Sequence, residues 1–581
     1  MLAPPPRRAA LAVLIAASLS LIASSSGGLE TEPAAGQDRA TRAETLRFPF
    51  PQDEGALTPT TFKLGYPLVT LVYDTLMWRD ESGKPRPWLV RSVHKGEGGR
   101  LIMLHLREGV RWHDGRPLTA ADVAFTFRFF ARRPHPRFTP QLASVERAEV
   151  VDRLAVVITL RHPSPGFMDQ PLADLPILPR HLWEDLPDSR QAPAGLPVGS
   201  GPYRLVEHRR GRLYRFRANR RYFLGRPRVK TIEVPIERDF DRTLRDLQNR
   251  RIDMIPASLS EGAIARLDRT AFKVARGPLY RGTVLMFNTR KPPFNRPAAR
   301  RAVARAIDIR RLARILGREA AVAADHGYVA PDSPRATDGS THRFDQRAAR
   351  SSLRRLKLPN LRVLASESDP QRRESGRQVV LALKRAGVSA ELVELPQSEL
   401  ASAVGENGAT PRFEAAIWTT PPLASYDPDY LSVVFGSDPD RAVLNYSGYD
   451  EPAFDDLAGR VAEEGNDRKR ARLVRSELEL LARDLPVVPL VYATGAFAYR
   501  PAVYDGWRFI DGTGILDKQS FLPASGLPAN RRPDTAAAPP SPGGGLGPAG
   551  YVALALLAVT LALAAAGLLG AAGRKLHRGR R

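Results

Sequence analysis

The chain has 581 residues, of which 43% are hydrophobic, and this length exceeds a single small core, so two or more lobes are expected. It contains no cysteine, which excludes disulfides, thiolate metal sites, a cysteine nucleophile and a lipid-anchoring cysteine. Lys and Arg exceed Asp and Glu by 25, but the arginines are spread along the chain without a basic arm or interleaved aromatic residues, which argues against nucleic acid as a partner.

The N-terminal segment has the composition of an export signal. Arg7 and Arg8 precede an apolar run from Ala9 to Ala23, and small residues follow it. The run of about 15 residues is shorter than the roughly 20 that a membrane-spanning helix needs. We therefore predict that residues 1–28 are a signal peptide and that the rest of the protein is exported.

Residues 104–127 combine a strand, a tight turn and the start of a helix. The dipeptide Asp-Gly at 114–115 is a strong turn signal, and Thr119 with Asp122 predicts a capping box for a helix from Ala120 towards Arg132. The neighbouring His113 and Asp114 could also be a catalytic pair or metal ligands. A turn suffices to explain them, since no other histidine stands at ligand spacing.

This segment, LHLREGVRWHDGRPLTAADV, closely resembles the signature of the family 5 extracytoplasmic solute-binding proteins, the dipeptide, oligopeptide and nickel binders of peptide-type ABC transporters. Three further motifs resemble those of the family and follow in the family's order: GSGPY at 199–203, the strand and helix at 280–316, and DPD at 427–429. The resemblance covers about residues 44–510. The Gly-Ser-Gly at 199–201 is not a phosphate cradle or a nucleophile elbow, because neither a Lys-Ser/Thr pair nor G-x-S-x-G is present.

The resemblance implies an α/β, two-lobed periplasmic-binding-protein-like fold of type II, of the large cluster with an extra subdomain. The strand and helix alternation of the second half agrees with it, including a helix at 371–385. A further short helix is predicted from Arg242 to Asp253. The implied division is a first lobe at 44–280 with a subdomain at about 67–185, a second lobe at 281–497, and a return to the first lobe at 498–522.

The resemblance also implies where ligand is bound, between the lobes. The loop after the first strand lines the cleft in the family, and aromatic and acidic positions of the second lobe face it; the predicted ligand-binding residues are Lys63, Gly65, Tyr66, Asn288, Trp418, Tyr426 and Asp427. Each has an alternative structural role. Tyr66 could pack against a helix start, Trp418 could belong to the core, and Asp427 could cap a helix.

Ligand identity is less determined by the sequence. In peptide-binding members of the family, an aspartate after the tryptophan holds the peptide ammonium group. Here the count forward from Trp418 gives Pro421 and the count back from Pro428 gives Ala424, so that acid is absent. The alternatives are that Asp427 substitutes for it or that the ligand lacks a free amine. Lys63 points instead to an anionic ligand. The sequence predicts a dipeptide or oligopeptide, with a metal complex, an opine, a sugar or another anion as the alternative, delivered to an ABC permease. No cofactor and no enzymatic activity are predicted, because no recognisable catalytic motif occurs; a membrane-anchored receptor of the same fold is a further alternative.

The C-terminal residues predict a membrane anchor. Residues 523–550 contain 7 Pro and 6 Gly and could not build a core, so they are predicted to be a linker. Residues 551–572 are almost wholly apolar and long enough for one transmembrane helix. The basic tail at 573–581 marks the cytoplasmic side, which leaves the bulk of the protein outside.

Overall fold

A computed structural model describes residues 42–135, 137–187, 191–317, 320–333, 336, 343–367, 369–421, 430–439 and 442–527. The predicted signal peptide, most of the predicted linker, and the predicted membrane helix and basic tail lie outside these residues. Across the ranges that are described, no helix combines the length and the apolar character that crossing a bilayer would require.

The first lobe is built on two four-stranded sheets and a small hairpin. Its strands are β1 (Ala43–Arg47), β2 (Met77–Arg79), β3 (Pro85–Pro87), β4 (Val90–Gly96), β5 (Leu101–Leu106), β6 (Val145–Asp152), β7 (Ala155–Leu160), β8 (Tyr203–Arg209), β9 (Leu213–Ala218) and β10 (Val229–Pro235). Its helices are α1 (Tyr66–Val72), α2 (Ala120–Arg132), α3 (Arg180–Trp183), α4 (Phe240–Gln248) and α5 (Glu261–Ile264). One sheet has the order β1-β10-β9-β8, the subdomain sheet has the order β4-β5-β7-β6, and β2 pairs with β3.

The second lobe surrounds one mixed sheet. Its strands are β11 (Lys273–Phe287), β12 (Ala321–Ala323), β13 (Leu361–Ser366), β14 (Ala390–Leu395), β15 (Ala415–Thr420) and β16 (Val487–Tyr499). Its helices are α6 (Pro297–Ala306), α7 (Ile309–Leu316), α8 (Gln346–Leu356), α9 (Pro370–Arg385), α10 (Gln397–Val404), α11 (Leu431–Phe435), α12 (Pro452–Glu463) and α13 (Asp467–Asp484). The sheet order is β12-β16-β11-β15-β13-β14, and separate apolar clusters pack on its two faces.

Two long antiparallel strands, β11 and β16, connect the lobes. Their pairing runs from Lys273 opposite Tyr499 to Met286 opposite Val487, with one irregularity between Pro278 and Gly282 and another between Thr283 and Val284. The first-lobe end of the pair packs with first-lobe residues, while the other end lies in the second-lobe core. This paired ribbon, interrupted at its middle, is the natural place for the lobes to hinge.

The locally coded elements form as the sequence predicts, with one difference at a helix end. Helix α2 spans Ala120–Arg132, and its capping box is present, since the main-chain N–H of Thr119 donates to Asp122. The helix predicted to reach Asp253 ends at Gln248, because Arg250 adopts a left-handed conformation with a φ of 61°. Asp253 instead accepts a hydrogen bond from the main chain of Arg47.

The turn after β5 holds the GSGPY segment in place through His113. The main-chain N–H of His113 donates to Gly199 O, and its Nε2 lies 3.0 Å from Gly201 O, which can only accept. The main-chain N–H of Gly199 donates to Nδ1. His113 is therefore held as the neutral tautomer protonated at Nε2, and burial lowers its pKa to about 4.

The neutral, buried His113 should make stability depend on pH. Its folded-state pKa of about 4 lies below the unfolded value of about 6.5, so the unfolded chain binds more protons between these values and stability rises with pH there. We expect this group to remove about 3 kcal/mol of unfolding free energy between pH 7 and pH 4. Urea unfolding of the wild type and of His113→Gln at pH 7, 5.5 and 4.5 tests this; parallel pH dependences in the two proteins would contradict it.

The chain returns to the first lobe through a buried ion pair. Lys518 Nζ lies 2.9 Å from an Asp74 carboxylate oxygen, and neither side chain is exposed. Asp74 also accepts hydrogen bonds from the Trp88 indole, the Tyr222 hydroxyl and the Ser200 hydroxyl. The pair therefore ties the returning segment to helix α1, to the subdomain and to the GSGPY segment at one point.

Candidate functional site

A cavity of about 1170 Å³ lies between the two lobes. Both lobes and the returning segment contribute to its wall; the residues used below are Tyr66, Trp78, Arg79, His135, Arg137, Asp174, Arg281, Glu406, Tyr430, Tyr446 and Asp517. Small-molecule sites usually measure roughly 300–1,000 Å³. The cavity is therefore large enough for a ligand of several residues or for a small complex.

The loop before helix α1 is organised around the carboxylate of Glu54. That carboxylate accepts hydrogen bonds from the main-chain N–H groups of Lys63 and Leu64. A Cβ at Gly65 would lie 2.6 Å from Glu54 Cγ, so the close approach requires glycine. This arrangement presents Leu64, which is 62% exposed, and Tyr66 to the cavity.

Replacing Glu54 with alanine should loosen this loop. The main-chain N–H groups of the exposed Lys63 and Leu64 would lose their acceptor, and one such hydrogen bond contributes about 0.5–1.5 kcal/mol. We expect lower stability in urea unfolding and weaker binding of any ligand that contacts Tyr66. Lys63→Ala is the matched control, because Lys63 takes part in this network through its main chain; equal effects of the two substitutions would contradict the role given to Glu54.

The first-lobe wall contains a neutralised charge pair beside Tyr66. Arg137 donates to both oxygens of Asp174, at 2.9 and 2.7 Å, and Gln141 donates to the same carboxylate. The guanidinium also lies 4.1 Å from the centroid of the Tyr66 ring, and the Tyr66 hydroxyl donates to the main-chain oxygen of Asp174. Although burial opposes ionisation, Arg137 holds the pKa of the Asp174 carboxyl below its usual value. This wall is thus rigid and carries little net charge.

The second-lobe wall combines aromatic rings with charged groups of both signs, Glu406 and Arg281. Tyr430 and Tyr446 line the cavity, and burial raises the pKa of Tyr430 to about 12, so its hydroxyl stays neutral. Trp418 stands behind Tyr446, with ring centroids 5.7 Å apart and planes at 84°. Glu406 follows the end of helix α10 and also lines the cavity.

The three first-lobe residues predicted to bind ligand lie together at the start of helix α1, but only one of them lines the cavity. Tyr66 lines the cavity directly. Lys63 and Gly65 do not line it; they belong to the loop around Glu54 that places Tyr66. The alternative interpretation of Tyr66 also holds, because it is the first residue of helix α1.

Of the second-lobe residues predicted to bind ligand, the two that the structure describes do not line the cavity. Asn288 is buried, donates to the main-chain oxygen of Phe413 and accepts from the main chain of Arg290, so its side chain is used inside the lobe. Trp418 is 8% exposed and supports Tyr446 rather than lining the cavity itself. Tyr426 and Asp427 lie outside the described residues.

Several cavity residues had no signal in the sequence. Arg137 and Asp174 are 37 positions apart and belong to irregular segments, so nothing in the pattern joins them. Arg281 sits at the interruption of β11, and Glu406 sits in a short turn. Over the part of the chain that is described, no group of three or more His, Asp or Glu side chains is placed to hold a metal ion.

Comparison with known proteins gives a consistent result. The family described as bacterial extracellular solute-binding proteins, family 5 Middle, matches residues 84–441. A probable di/tripeptide-binding protein 5 of Pseudomonas aeruginosa is 25% identical over 450 residues, which cover 73% of this chain and 84% of that protein. The oligopeptide-binding protein AppA of Bacillus subtilis is 27% identical over 186 residues, so that match spans about a third of the relative (34%).

Solved structures share the two-lobed α/β fold. The ABC transporter substrate-binding protein CtaP of Listeria monocytogenes superposes with a TM-score of 0.73 at 22% identity, covering 83% of this chain and 100% of that one. NikZ of Campylobacter jejuni, solved in complex with Ni(L-His), gives a TM-score of 0.68 at 22% identity, covering 79% and 94%. At these identities the likeness establishes the fold, and the predicted α/β, two-lobed, periplasmic-binding-protein-like architecture is confirmed. The C-terminal membrane helix that was predicted with it stays a prediction.

Proposed function

Because the chain belongs to family 5 of the bacterial extracellular solute-binding proteins, we propose that it is the substrate-binding component of an ABC transporter. The observation that carries the proposal is the cavity of about 1170 Å³ whose wall is shared by both lobes. A solute that contacts both lobes stabilises their closed arrangement, because its affinity for that arrangement is higher. The closed form is what a membrane permease would recognise outside the cell.

A dipeptide or oligopeptide is the cargo that we propose. The names of two relatives, a di/tripeptide-binding protein and an oligopeptide-binding protein, support this choice. The cavity agrees with it, because its size accommodates several residues and its wall combines aromatic rings with a few charged groups. Non-peptide solutes, including nickel complexes of the kind seen in NikZ, are the competing outcome of the test.

Ligand-dependent stabilisation tests the proposal directly. The full chain is screened by thermal unfolding and calorimetry against free-terminus di- to pentapeptides, nickel with histidine, sugars and dicarboxylates. A ligand at 100 times its Kd should stabilise the folded state by about 2.7 kcal/mol. Peptide binding is the expected result. Binding of only one of the other ligand sets would show that the cargo is not a peptide. If the folded protein bound none of the sets, the proposed function would be contradicted.

A pair of matched variants shows whether binding occurs in this cavity. Leu64 is 62% exposed at the cavity wall, so Leu64→Asp should leave stability nearly unchanged while placing a charge among the apolar contacts of the ligand. Leu381 is 43% exposed on helix α9 and does not line the cavity. Leu381→Asp is therefore expected to bind ligand normally.

We also propose that the protein is held outside the cytoplasmic membrane by a helix at 551–572, joined to the binding lobes by the linker. The apolar composition of that segment and the basic residues that follow support this. The test compares the full chain with a variant that ends at residue 550. The full chain should remain in membranes after alkaline carbonate extraction and the shorter one should not; identical fractionation would exclude the anchor.

A further inference from the structure

Three consecutive helices of the second lobe contain charges of only one sign. Helices α6, α7 and α8 together hold ten arginines and no acidic residue. Eight of the ten are exposed, while Arg300 is buried and Arg301 is half-buried. Helices α12 and α13 hold seven basic and seven acidic residues. The excess of positive charge is therefore not a general property of the lobe.

The packing of these helices places their exposed arginines on one outer surface. Ala302 and Val303 of α6, Leu312 of α7, and Ala349 and Leu353 of α8 belong to one apolar cluster, which covers one face of the second-lobe sheet. Since each helix turns its apolar side to this cluster, its exposed arginines lie on the opposite side, towards solvent. Helices α12 and α13 pack in the cluster on the other face of the sheet.

Few of these charges are neutralised inside the protein. In the part of the chain that the structure describes, Arg310 is the one exposed arginine of the three helices with an ion-pair partner, Asp325. The acids that precede α7 and α8, Asp308 and Asp345, accept hydrogen bonds from main-chain N–H groups at the helix starts. The surface keeps a net positive charge, which an anionic partner would complement.

A groove with exposed apolar side chains lies within this surface. It has a volume of about 130 Å³, and its wall includes Ile315 of α7, Phe344 before α8, and the arginines Arg311 and Arg385. Ile315 is 43% exposed and Phe344 is 45% exposed. The described residues that line the groove do not line the cavity between the lobes. Exposed apolar side chains beside basic ones favour binding to the surface of an anionic bilayer.

We propose that this basic surface, formed by α6, α7, α8 and the C-terminal end of α9, docks on the anionic lipid headgroups of a bilayer, with Ile315 and Phe344 entering the interface. The proposal goes beyond solute binding and concerns how the second lobe is oriented at a membrane. A bilayer is favoured over a nucleic acid, because a bilayer can bury the apolar side chains of the groove and a phosphate backbone cannot.

The physics of the attraction gives the docking a dependence on charge and salt. Each Lys or Arg near an anionic lipid surface strengthens binding by about 5-fold. The attraction falls off within a Debye length, which is about 8 Å at physiological ionic strength. Only a surface in contact with the headgroups therefore gains from it, and added salt should release the lobe.

Site-specific labelling of the full chain tests the docking, because the protein contains no cysteine and an introduced one is unique. Ser351→Cys places a polarity-sensitive fluorophore on the exposed side of α8, and Ala471→Cys places it on the exposed side of α13. Each protein is added to vesicles of phosphatidylcholine alone or of phosphatidylcholine with phosphatidylglycerol. We expect a blue shift and quenching by brominated lipid only at position 351, only with phosphatidylglycerol, and reversed by high salt. The label on α13 controls for attachment through residues 551–572.

Neutralising three arginines tests whether charge is responsible for the docking. The test variant combines three substitutions on α7 and α8: Arg311→Gln, Arg347→Gln and Arg354→Gln. The matched control combines three substitutions of exposed arginines on α13: Arg468→Gln, Arg472→Gln and Arg475→Gln. The test variant should lower the ratio of docked to undocked protein by on the order of 100-fold, and the control should leave it unchanged. Both should bind the peptide set as the wild type does.

Several outcomes would overturn the proposal. They are an unchanged label at position 351 with phosphatidylglycerol, an equal response with phosphatidylcholine alone, and equal losses in the two triple variants. A response of that label to soluble polyglutamate or duplex DNA but not to vesicles would also overturn it and would assign the surface to a soluble polyanion. Cargo binding is measured separately by calorimetry, so a failure of docking leaves the transport function standing.

Discussion

Replacing Lys518 with methionine is expected to destabilise the protein by about 3–5 kcal/mol, since it would leave the Asp74 carboxylate buried without its counter-ion. The Lys518 ammonium also lies 3.9 Å from the Trp78 ring centroid and 4.7 Å from that of Trp88, so the aromatic contacts would lose their cation as well. Urea unfolding of the full chain measures the loss. Ligand affinity should fall too, because Asp517 next to Lys518 lines the cavity.

A double variant tests whether the loss of stability comes from the unpaired buried charge, and an exposed ion pair serves as the control. Asp74→Asn combined with Lys518→Met removes both charges, and we expect it to be more stable than Lys518→Met alone. The exposed pair of Lys230 with Glu44 is the control, since such pairs contribute about 0–1 kcal/mol and Lys230→Met should be nearly neutral. If Lys518→Met were as mild as Lys230→Met, the buried pair would not organise the returning segment.

The same ion pair shows where sequence-based prediction ends. Helix α2 could be predicted because its cap and its apolar residues are neighbours in the chain, so Thr119 and Asp122 carry the information locally. Asp74 and Lys518 are separated by 444 positions, and nothing around either residue indicates the other. Their contact depends on the return of the chain to the first lobe, which only the complete fold specifies.

The residues of the candidate site were likewise only partly predictable from the sequence. Tyr66 was predicted because its segment has a recognisable place in the family, and it lines the cavity as the first residue of helix α1, while its contact with ligand stays a prediction. Lys63 was predicted because it lies in the same loop, yet it does not line the cavity, whereas Arg281, beside an irregularity in strand β11, does. A break in strand pairing leaves no periodic signal in the sequence, so a residue placed by it cannot be read from spacing.

Replacing Gly199 with alanine should cost about 3 kcal/mol or more and should also weaken ligand binding. A Cβ at this position would lie 1.9 Å from the main-chain oxygen of Val72, the last residue of helix α1, so backbone would have to move. Because α1 begins with Tyr66 at the cavity wall, that movement reaches the binding site. The motif glycine is thus required by a close approach of two backbone segments.

Helical Gly459 provides the control for the Gly199 substitution. Nothing lies within 4 Å of a Cβ built on Gly459 in helix α12, so Gly459→Ala should be neutral or stabilising by about 0.5–1 kcal/mol. Urea unfolding and peptide calorimetry on both variants decide the matter. If Gly199→Ala unfolded like the wild type, the segment could shift away from α1 without loss, and the contact between GSGPY and the helix would not be what positions Tyr66.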